Sequence, residues 1–174
     1  MSSTGPIALG AALTSTSYFL FGNLGAAYFG IMPLIERGKT NLPVVDRLAL
    51  WKAFYDTAMR HMASSSAASS VSLAVAASTV PASPLRSVMA SGCAASLIVG
   101  VVTMIWLMPV NNNLAATLKA TSVNEPMSSM EQERVLEKLD TWRKWHRVRM
   151  SLGAVAWVAT VTAIMATDKV FALW

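Results

Sequence analysis

Residues 142–149 read Trp-Arg-Lys-Trp-His-Arg-Val-Arg, and this stretch joins a charged segment to the last apolar run of the chain. If the stretch is helical, Trp142, His146 and Arg149 share one face, because their spacings of four and three match the helical repeat. An aromatic ring, an imidazole and a guanidinium on an otherwise apolar face favour a polar pocket at the edge of a membrane. The other basic side chains of the stretch are predicted to point to solvent or lipid headgroups: Arg143, Lys144 and Arg147.

The composition predicts an integral membrane protein. Of the 174 residues, 54% are hydrophobic and 13% are charged, whereas a soluble domain carries about 25% charged residues. The net charge of +5 comes from basic residues beside apolar runs, a pattern typical of membrane orientation rather than of nucleic-acid binding. Cys93 is the only cysteine, which excludes an intramolecular disulfide, and two histidines exclude a His-rich metal site.

Four apolar runs predict an all-α fold, a membrane four-helix bundle that forms a single domain over residues 1–174. Asn23 in the first run is predicted either to hydrogen-bond between helices or to line a pocket. The second run is rich in Ala and Ser and only weakly hydrophobic, so it is expected to be largely surrounded by protein. The predicted spans are residues 6–34, 59–81, 87–108 and 150–167.

Two charged connectors, residues 36–61 and 115–149, are predicted to extend the bundle as helices. Ser128 with Glu131, or Ser129 with Gln132, has the spacing of a capping box, which is expected to start the helix that leads into the last span. With four spans both connectors lie on one side of the membrane, and they hold twelve of the fourteen Lys and Arg residues. The positive-inside rule places the connectors in the cytoplasm and both termini in a lumen or outside the cell.

The connector side also gathers most of the polar and aromatic side chains. Pro109 is predicted to end the third span, and the asparagines that follow it either cap that helix or line a pocket. The residues that are expected to meet on this side are Trp51, Tyr55, His61, Asn111, Asn112, Asn113, Trp142, His146 and Arg149.

Four motifs in this order resemble the anthrone oxygenase family, small four-span membrane proteins of aromatic polyketide pathways. The resemblance covers most of the chain and implies oxidation of an anthrone to an anthraquinone by dioxygen. Its motifs are Phe21-Gly22 with Tyr28-Phe29-Gly30 and Pro33, Trp51-x-x-x-Tyr55, Pro109-Val-Asn-Asn-Asn-Leu114, and Trp142-x-x-x-His146-x-x-Arg149.

For an anthrone substrate, the chemistry suggests roles for the gathered residues. A base must remove a proton from the central methylene; His146 is the first candidate and His61 the second. Arg149 is predicted to hold the enolate or peroxide oxygen, and Asn111 or Asn112 to donate to the carbonyl or bind the peroxide. Because the substrate supplies the electrons, no cofactor is expected and dioxygen is the co-substrate. Aromatic side chains are predicted to stack on the flat substrate: Trp142, Trp51 and Tyr55.

Three alternatives stay open. A copper or iron ion bound by His61, His146 and a carboxylate would perform the same oxidation. A non-catalytic scaffold or carrier would use the charged helix 128–149 to bind pathway enzymes. The Trp-His-Arg set is also typical of a simple membrane anchor. The expected location is the endoplasmic reticulum, with the lipid bilayer as partner, no nucleic acid, and a homo-oligomer permitted.

Overall fold

The computed structural model describes residues 4–80, 83–121 and 127–171, with side chains described through residue 167. Within these ranges every regular element is a helix, which confirms the all-α prediction. The predicted end of the second span, residue 81, lies outside the described residues. The elements are α1 (Thr4–Tyr28), α2 (Met32–Ile35), α3 (Val44–Ser78), α4 (Pro84–Val102), a π-helical turn (Thr103–Leu107), α5 (Met108–Ala120) and α6 (Ser129–Phe171).

The four long helical segments pack side by side. Helix α1 lies beside α3 and α6, and α4 also lies beside α3 and α6. Three helices in the described ranges are long and apolar enough to cross a membrane: Thr4–Tyr28, Pro84–Ala120 and Ser129–Thr167. The membrane prediction is thereby supported, whereas α3, which contains the predicted second span, is not among the three. The four-span bundle therefore stays a prediction.

The predicted first span, 6–34, is divided. Helix α1 ends at Tyr28, and the chain bends at Gly30, where an added Cβ would lie 3.0 Å from the Ala26 Cα. Glycine avoids the tight contact that any other side chain would make there. The short helix α2 then begins, with Pro33 in its first turn. The apolar run is therefore interrupted about one and a half turns before its predicted end.

Arg47 fixes the loop between α2 and α3. Its side chain is 7% exposed, and its guanidinium donates to the carbonyl oxygens of Leu42 at 2.9 Å, Glu36 at 2.9 Å and Thr40 at 2.6 Å. A guanidinium has five N–H groups in a planar fork, which suits it to several carbonyls at once. This one side chain therefore positions the first connector against the start of α3.

Helix α3 joins the first connector and the predicted second span into 35 continuous helical residues. Its serine-rich face is buried: the Ser66 hydroxyl donates to the Ser96 carbonyl at 2.9 Å, and the Ser69 hydroxyl to the Ser15 hydroxyl at 3.1 Å. The opposite face, which includes Val71 with 64% exposure, is uncovered. The prediction that protein surrounds this helix is wrong for that face.

Helix α6 begins with the first of the two predicted capping boxes, Ser128 with Glu131. The Glu131 carboxylate accepts from the Ser128 N–H at 2.9 Å, and the Ser128 hydroxyl accepts from the Glu131 N–H at 3.3 Å. From there α6 runs for 43 residues to Phe171, so the second connector and the fourth span form one helix. A continuous helix preserves the spacing of 142, 146 and 149, which confirms that these residues share a face.

Ion pairs join the two connectors. Arg143 contacts the Glu36 carboxylate at 2.8 Å, and Arg37 contacts Glu133 at 2.7 Å. The Arg143 side chain is only 12% exposed, so the prediction that it points to solvent or headgroups is wrong. Lys138 donates to Asn113 at 3.0 Å. Part of the charged helix face that the scaffold alternative assigned to a partner is thus occupied by contacts within this chain.

Candidate active site

A cavity of about 500 Å³ lies among α1, α3, the α4–α5 segment and α6. Most of its wall is apolar, and its volume is in the range of small-molecule binding sites, about 300–1,000 Å³. His146, Arg149 and Asn111 all line it. These three residues were predicted to meet, and the structure brings them to one cavity.

Helix α6 supplies one wall through its Trp-His-Arg face. The rings of Trp142 and His146 are stacked, with centroids 5.2 Å apart and planes inclined by 24°. His146 is 3% exposed, and its Nε2 has no hydrogen-bond partner within the described ranges. A buried polar atom is usually paired. An unpaired imidazole nitrogen in a cavity wall is available to a ligand.

Arg149 lies one turn further along α6 and is held against α1. Its guanidinium carbon is 5.9 Å from the centre of the Phe19 ring, a distance at which a cation is attracted to an aromatic face. The Arg149 Nε also has no hydrogen-bond partner in the part of the chain that the structure describes. The ring of Phe19 therefore orients the cation, and at least one of its N–H groups stays unpaired.

Asn111 reaches the cavity through the π-helical turn. Val99 and Val102 on α4 are buried, and a regular helix would bury position 106 next. Instead Trp106 is 40% exposed, while Leu107 and Asn111 are buried. The Met108 N–H donates to the Thr103 carbonyl, five residues back, which adds one residue to this turn. The extra residue rotates α5 so that Asn111 faces inward.

Pro109 explains why a π-helical turn forms here. Proline has no N–H, and in a regular α-helix its ring would clash with the carbonyl of Ile105, four residues back. The wider turn relieves that clash, and the helix continues to Ala120. The prediction that Pro109 ends the third span is therefore wrong. The asparagines do not cap a helix, and of the two predicted roles the structure favours pocket lining for Asn111.

The aromatic residues form two layers at this end of the cavity. Tyr55, Phe54 and Trp142 line the cavity, while Trp51 is fully buried behind them. Trp51 stacks on Tyr55, with centroids 5.4 Å apart, and meets Trp142 edge to face at 6.3 Å. Trp51 was predicted to stack on a substrate, but its position makes it a support for the two rings in front of it.

Two predicted catalytic residues are not brought to the cavity. Asn112 and His61 are both exposed, and within the described residues neither belongs to the cavity wall. The His61 ring lies 6.2 Å from that of Tyr18 instead. The metal alternative required His61 to meet His146, and the described residues contain no group of three potential His, Cys, Asp or Glu ligands. Among the described residues, the ligand set that this alternative needs for copper or iron is not brought together.

Several lining residues were missed or left undecided by the sequence reasoning. Asn23 combines both of its predicted roles: its amide donates to the Met62 sulfur at 3.0 Å, and it lines the cavity. Phe19 lies four residues before Asn23 on α1. This helical spacing puts the two residues on one face and was the signal in the sequence that could have placed Phe19 in the wall. Phe54 and Arg60 carried none, because they lie off the helix face that the spacing of Trp51 and Tyr55 defines. The cavity wall includes all of them: Phe19, Asn23, Phe54 and Arg60.

These features define a helical membrane protein with an internal cavity, walled by aromatic rings and carrying unpaired polar atoms at one end. The anthrone oxygenase family model matches residues 51–159, which include Asn111, His146 and Arg149. This chain belongs to the anthrone oxygenase family. No curated protein and no solved structure matches it. Family membership suggests that the protein is an oxygenase.

Proposed function

We propose that this protein is a membrane oxygenase that converts an anthrone to an anthraquinone with dioxygen in aromatic polyketide biosynthesis. One observation carries the proposal. In a chain of the anthrone oxygenase family, buried polar atoms of Asn111, His146 and Arg149 lack partners among the described residues, and all three residues line one aromatic-walled cavity. A flat ligand with few polar atoms matches such a wall.

The reaction needs no electron donor beyond the substrate. Loss of a proton from the central methylene leaves a carbanion that is delocalised over two rings and the carbonyl. This carbanion transfers electrons to dioxygen, and a carbon–oxygen bond forms to give a hydroperoxide. The peroxide O–O bond then breaks, with loss of the second C–H proton, to give the quinone carbonyl and water. Each turnover consumes one dioxygen and forms one water.

His146 is the base in this scheme. A neutral imidazole has one nitrogen that accepts a proton, and Nε2 is the atom without a partner in the described structure. Stacking on Trp142 holds the ring in the cavity wall. A positioned general base contributes about 10²–10⁴-fold to a rate, which suffices for a substrate that already oxidises slowly in air.

Arg149 and Asn111 stabilise the oxygen atoms that gain charge. Arg149 is a fixed cation held by Phe19, and it would bind the enolate oxygen as the proton leaves. Asn111 offers both a donor and an acceptor, so that its amide N–H would hold the oxyanion and its Oδ1 would accept from the hydroperoxide. Donors placed where charge develops contribute about 10²–10³-fold each. Tyr55, Phe54 and Trp142 supply the faces on which the rings stack.

The cellular setting is part of the same proposal. We place the chain in the endoplasmic reticulum membrane with α3 as the second of four spans. The charged connectors lie in the cytoplasm and both termini in the lumen, because twelve of the fourteen basic residues lie in the connectors. Helix α3 is weakly apolar, but its serine hydroxyls bond within the protein, as with Ser66 and Ser96. Such bonds allow a polar helix to lie among apolar ones.

The test is oxygen uptake by the purified, chelator-treated protein with a simple hydroxylated anthrone such as emodin anthrone. We expect uptake above the spontaneous rate, with one dioxygen consumed per quinone. His146→Ala should lower the rate by about 10²-fold or more, and His61→Ala, at the exposed histidine, should leave it unchanged. If the chelator-treated protein takes up oxygen only after copper or iron is added, the result would instead favour the metal alternative. Wild-type uptake no faster than the background would overturn the proposal.

A further inference from the structure

The cavity has an open side between α3 and α4, opposite its polar end. Ala63 on α3 and Gly100 on α4 both line the cavity and are both exposed. Leu97 is 59% exposed and Met104 69% exposed, and these also belong to the wall. At the other side of the cavity His146 is 3% exposed. The opening is therefore lined mainly by small and apolar residues, with the exposed Arg60 one turn before Ala63 on α3. The unpaired polar atoms of His146 and Arg149 lie at the buried end.

Two contacts between the helices mark the ends of this opening. At one end the Ser66 hydroxyl donates to the Ser96 carbonyl at 2.9 Å. At the other end the Tyr55 hydroxyl lies 3.8 Å from the Met108 sulfur. Between these contacts, a Cβ added to Gly100 would meet nothing within 4 Å. The helices are thus joined above and below a slot that small residues leave unfilled.

On the α4 side, the surface around the slot is apolar. Ile98, Val101 and Ile105 are 45%, 49% and 56% exposed and stand beside Leu97 and Met104. They belong to Pro84–Ala120, one of the helices able to cross a membrane. Exposed apolar residues along a spanning helix face the hydrocarbon of the bilayer. The slot therefore opens toward lipid and not toward water.

We propose that the slot between α3 and α4 admits the substrate sideways from the bilayer. This inference rests on the proposed function for the identity of the substrate, a flat apolar aromatic molecule that partitions into lipid. Such a molecule passes edge-on between Ala63 and Gly100 and reaches His146 with its polar atoms leading. The charged Arg60 lies on the Tyr55 side of Ala63 along α3, whereas a water-filled route would require polar residues along the slot itself.

The experiment uses the full chain in phosphatidylcholine vesicles with a Cys93→Ala background. A single cysteine is introduced as Ala63→Cys in the slot, or as Ala68→Cys, at an exposed alanine of the same helix outside the cavity wall. Each variant is labelled with a bulky aryl methanethiosulfonate, and oxygen uptake is followed with anthrone dissolved in the vesicles. Labelling at position 63 should slow uptake at least tenfold, and dithiothreitol should restore it. Labelling at position 68 should change nothing.

A second readout separates this inference from the proposed function. The association of anthraquinone dissolved in the same vesicles is followed by quenching of tryptophan fluorescence, since Trp142 lines the cavity. The label at position 63 should slow association whether or not the protein turns over anthrone. If the label at position 63 changes neither turnover nor association, the slot is overturned and the proposed oxygenase function is unaffected. Association blocked by the label without any turnover would overturn the oxygenase and leave the slot intact. No quenching at all would overturn the slot.

A pair of glycine variants tests the slot without chemical labelling. An added Cβ meets nothing within 4 Å at Gly100 in the slot or at Gly10 on α1, and both glycines are exposed. Gly100→Trp should fill the slot and slow substrate association at least tenfold. Gly10→Trp adds the same side chain to a surface away from the cavity and should associate as the wild type does. Equal rates in the two variants would contradict the slot.

Discussion

Phe19 on α1 lies against Gly153 on α6 so closely that a Cβ at position 153 would be 2.6 Å from the ring carbons Cδ1 and Cε1. The same ring faces the guanidinium of Arg149, one helical turn earlier. Phe19 therefore links the packing of α1 against α6 to the orientation of the cation in the cavity. The absence of a side chain at Gly153 is what allows the ring to occupy this position.

Gly153→Ala is expected to damage both stability and activity. The added methyl group overlaps an aromatic ring, and overpacking of this kind costs about 1–3 kcal/mol. The displaced ring also moves Arg149, so the rate of anthrone oxidation should fall about tenfold or more. Thermal unfolding in detergent and oxygen uptake measure the two effects. Gly10→Ala is the control, because its Cβ meets nothing within 4 Å and alanine favours a helix. Equal unfolding temperatures for the two variants would contradict the contact.

Arg149→Lys tests whether the shape of the cation matters as well as its charge. A lysine keeps the charge but has a compact ammonium group instead of a planar fork, and it stacks poorly on Phe19. We expect kcat for anthrone oxidation to fall about 10²-fold. Arg147→Lys, at an exposed arginine two residues earlier, should leave kcat unchanged. A fully active Arg149→Lys protein would mean that the guanidinium plays no part in the reaction.

The sequence predicted the α6 side of the site because one uninterrupted helix preserves a simple periodicity. Trp142, His146 and Arg149 needed only the helical repeat to be placed on one face. The sequence could also have shown that His61 lies away from Trp51 and Tyr55. The spacing that joins these two residues continues to Met62 and leaves His61 on another side of α3. The break in the first predicted span was not predictable in this way. It depends on the close approach of Gly30 to the backbone of Ala26, and hydrophobic periodicity carries no information about such backbone contacts.

The two neighbouring asparagines provide a matched pair. Asn111 is 3% exposed in the cavity wall, whereas Asn112 is exposed outside it. Asn111→Ala should lower the rate of anthrone oxidation by about 10²-fold through loss of the group that binds the oxyanion or peroxide. Asn112→Ala should retain the wild-type rate. Steady-state oxygen uptake with both variants decides the matter, and a larger loss at position 112 than at 111 would reverse the assignment.

The assignment of Asn111 over Asn112 depends on the single residue that the π-helical turn adds before Pro109. Pro109→Ala removes the ring whose clash with the Ile105 carbonyl favours the wider turn, and it should return the helix to a regular repeat. Helix α5 would then rotate by about 100° relative to α4, the angle per residue of an α-helix, and carry Asn111 out of the cavity. We expect circular dichroism to show the wild-type helix content while anthrone oxidation falls at least as far as in Asn111→Ala. Adding Asn111→Ala to Pro109→Ala should then have no further effect on the rate, because the amide no longer reaches the substrate. A further loss in the double variant would show that Asn111 still faces the cavity, and that the π-helical turn does not position it.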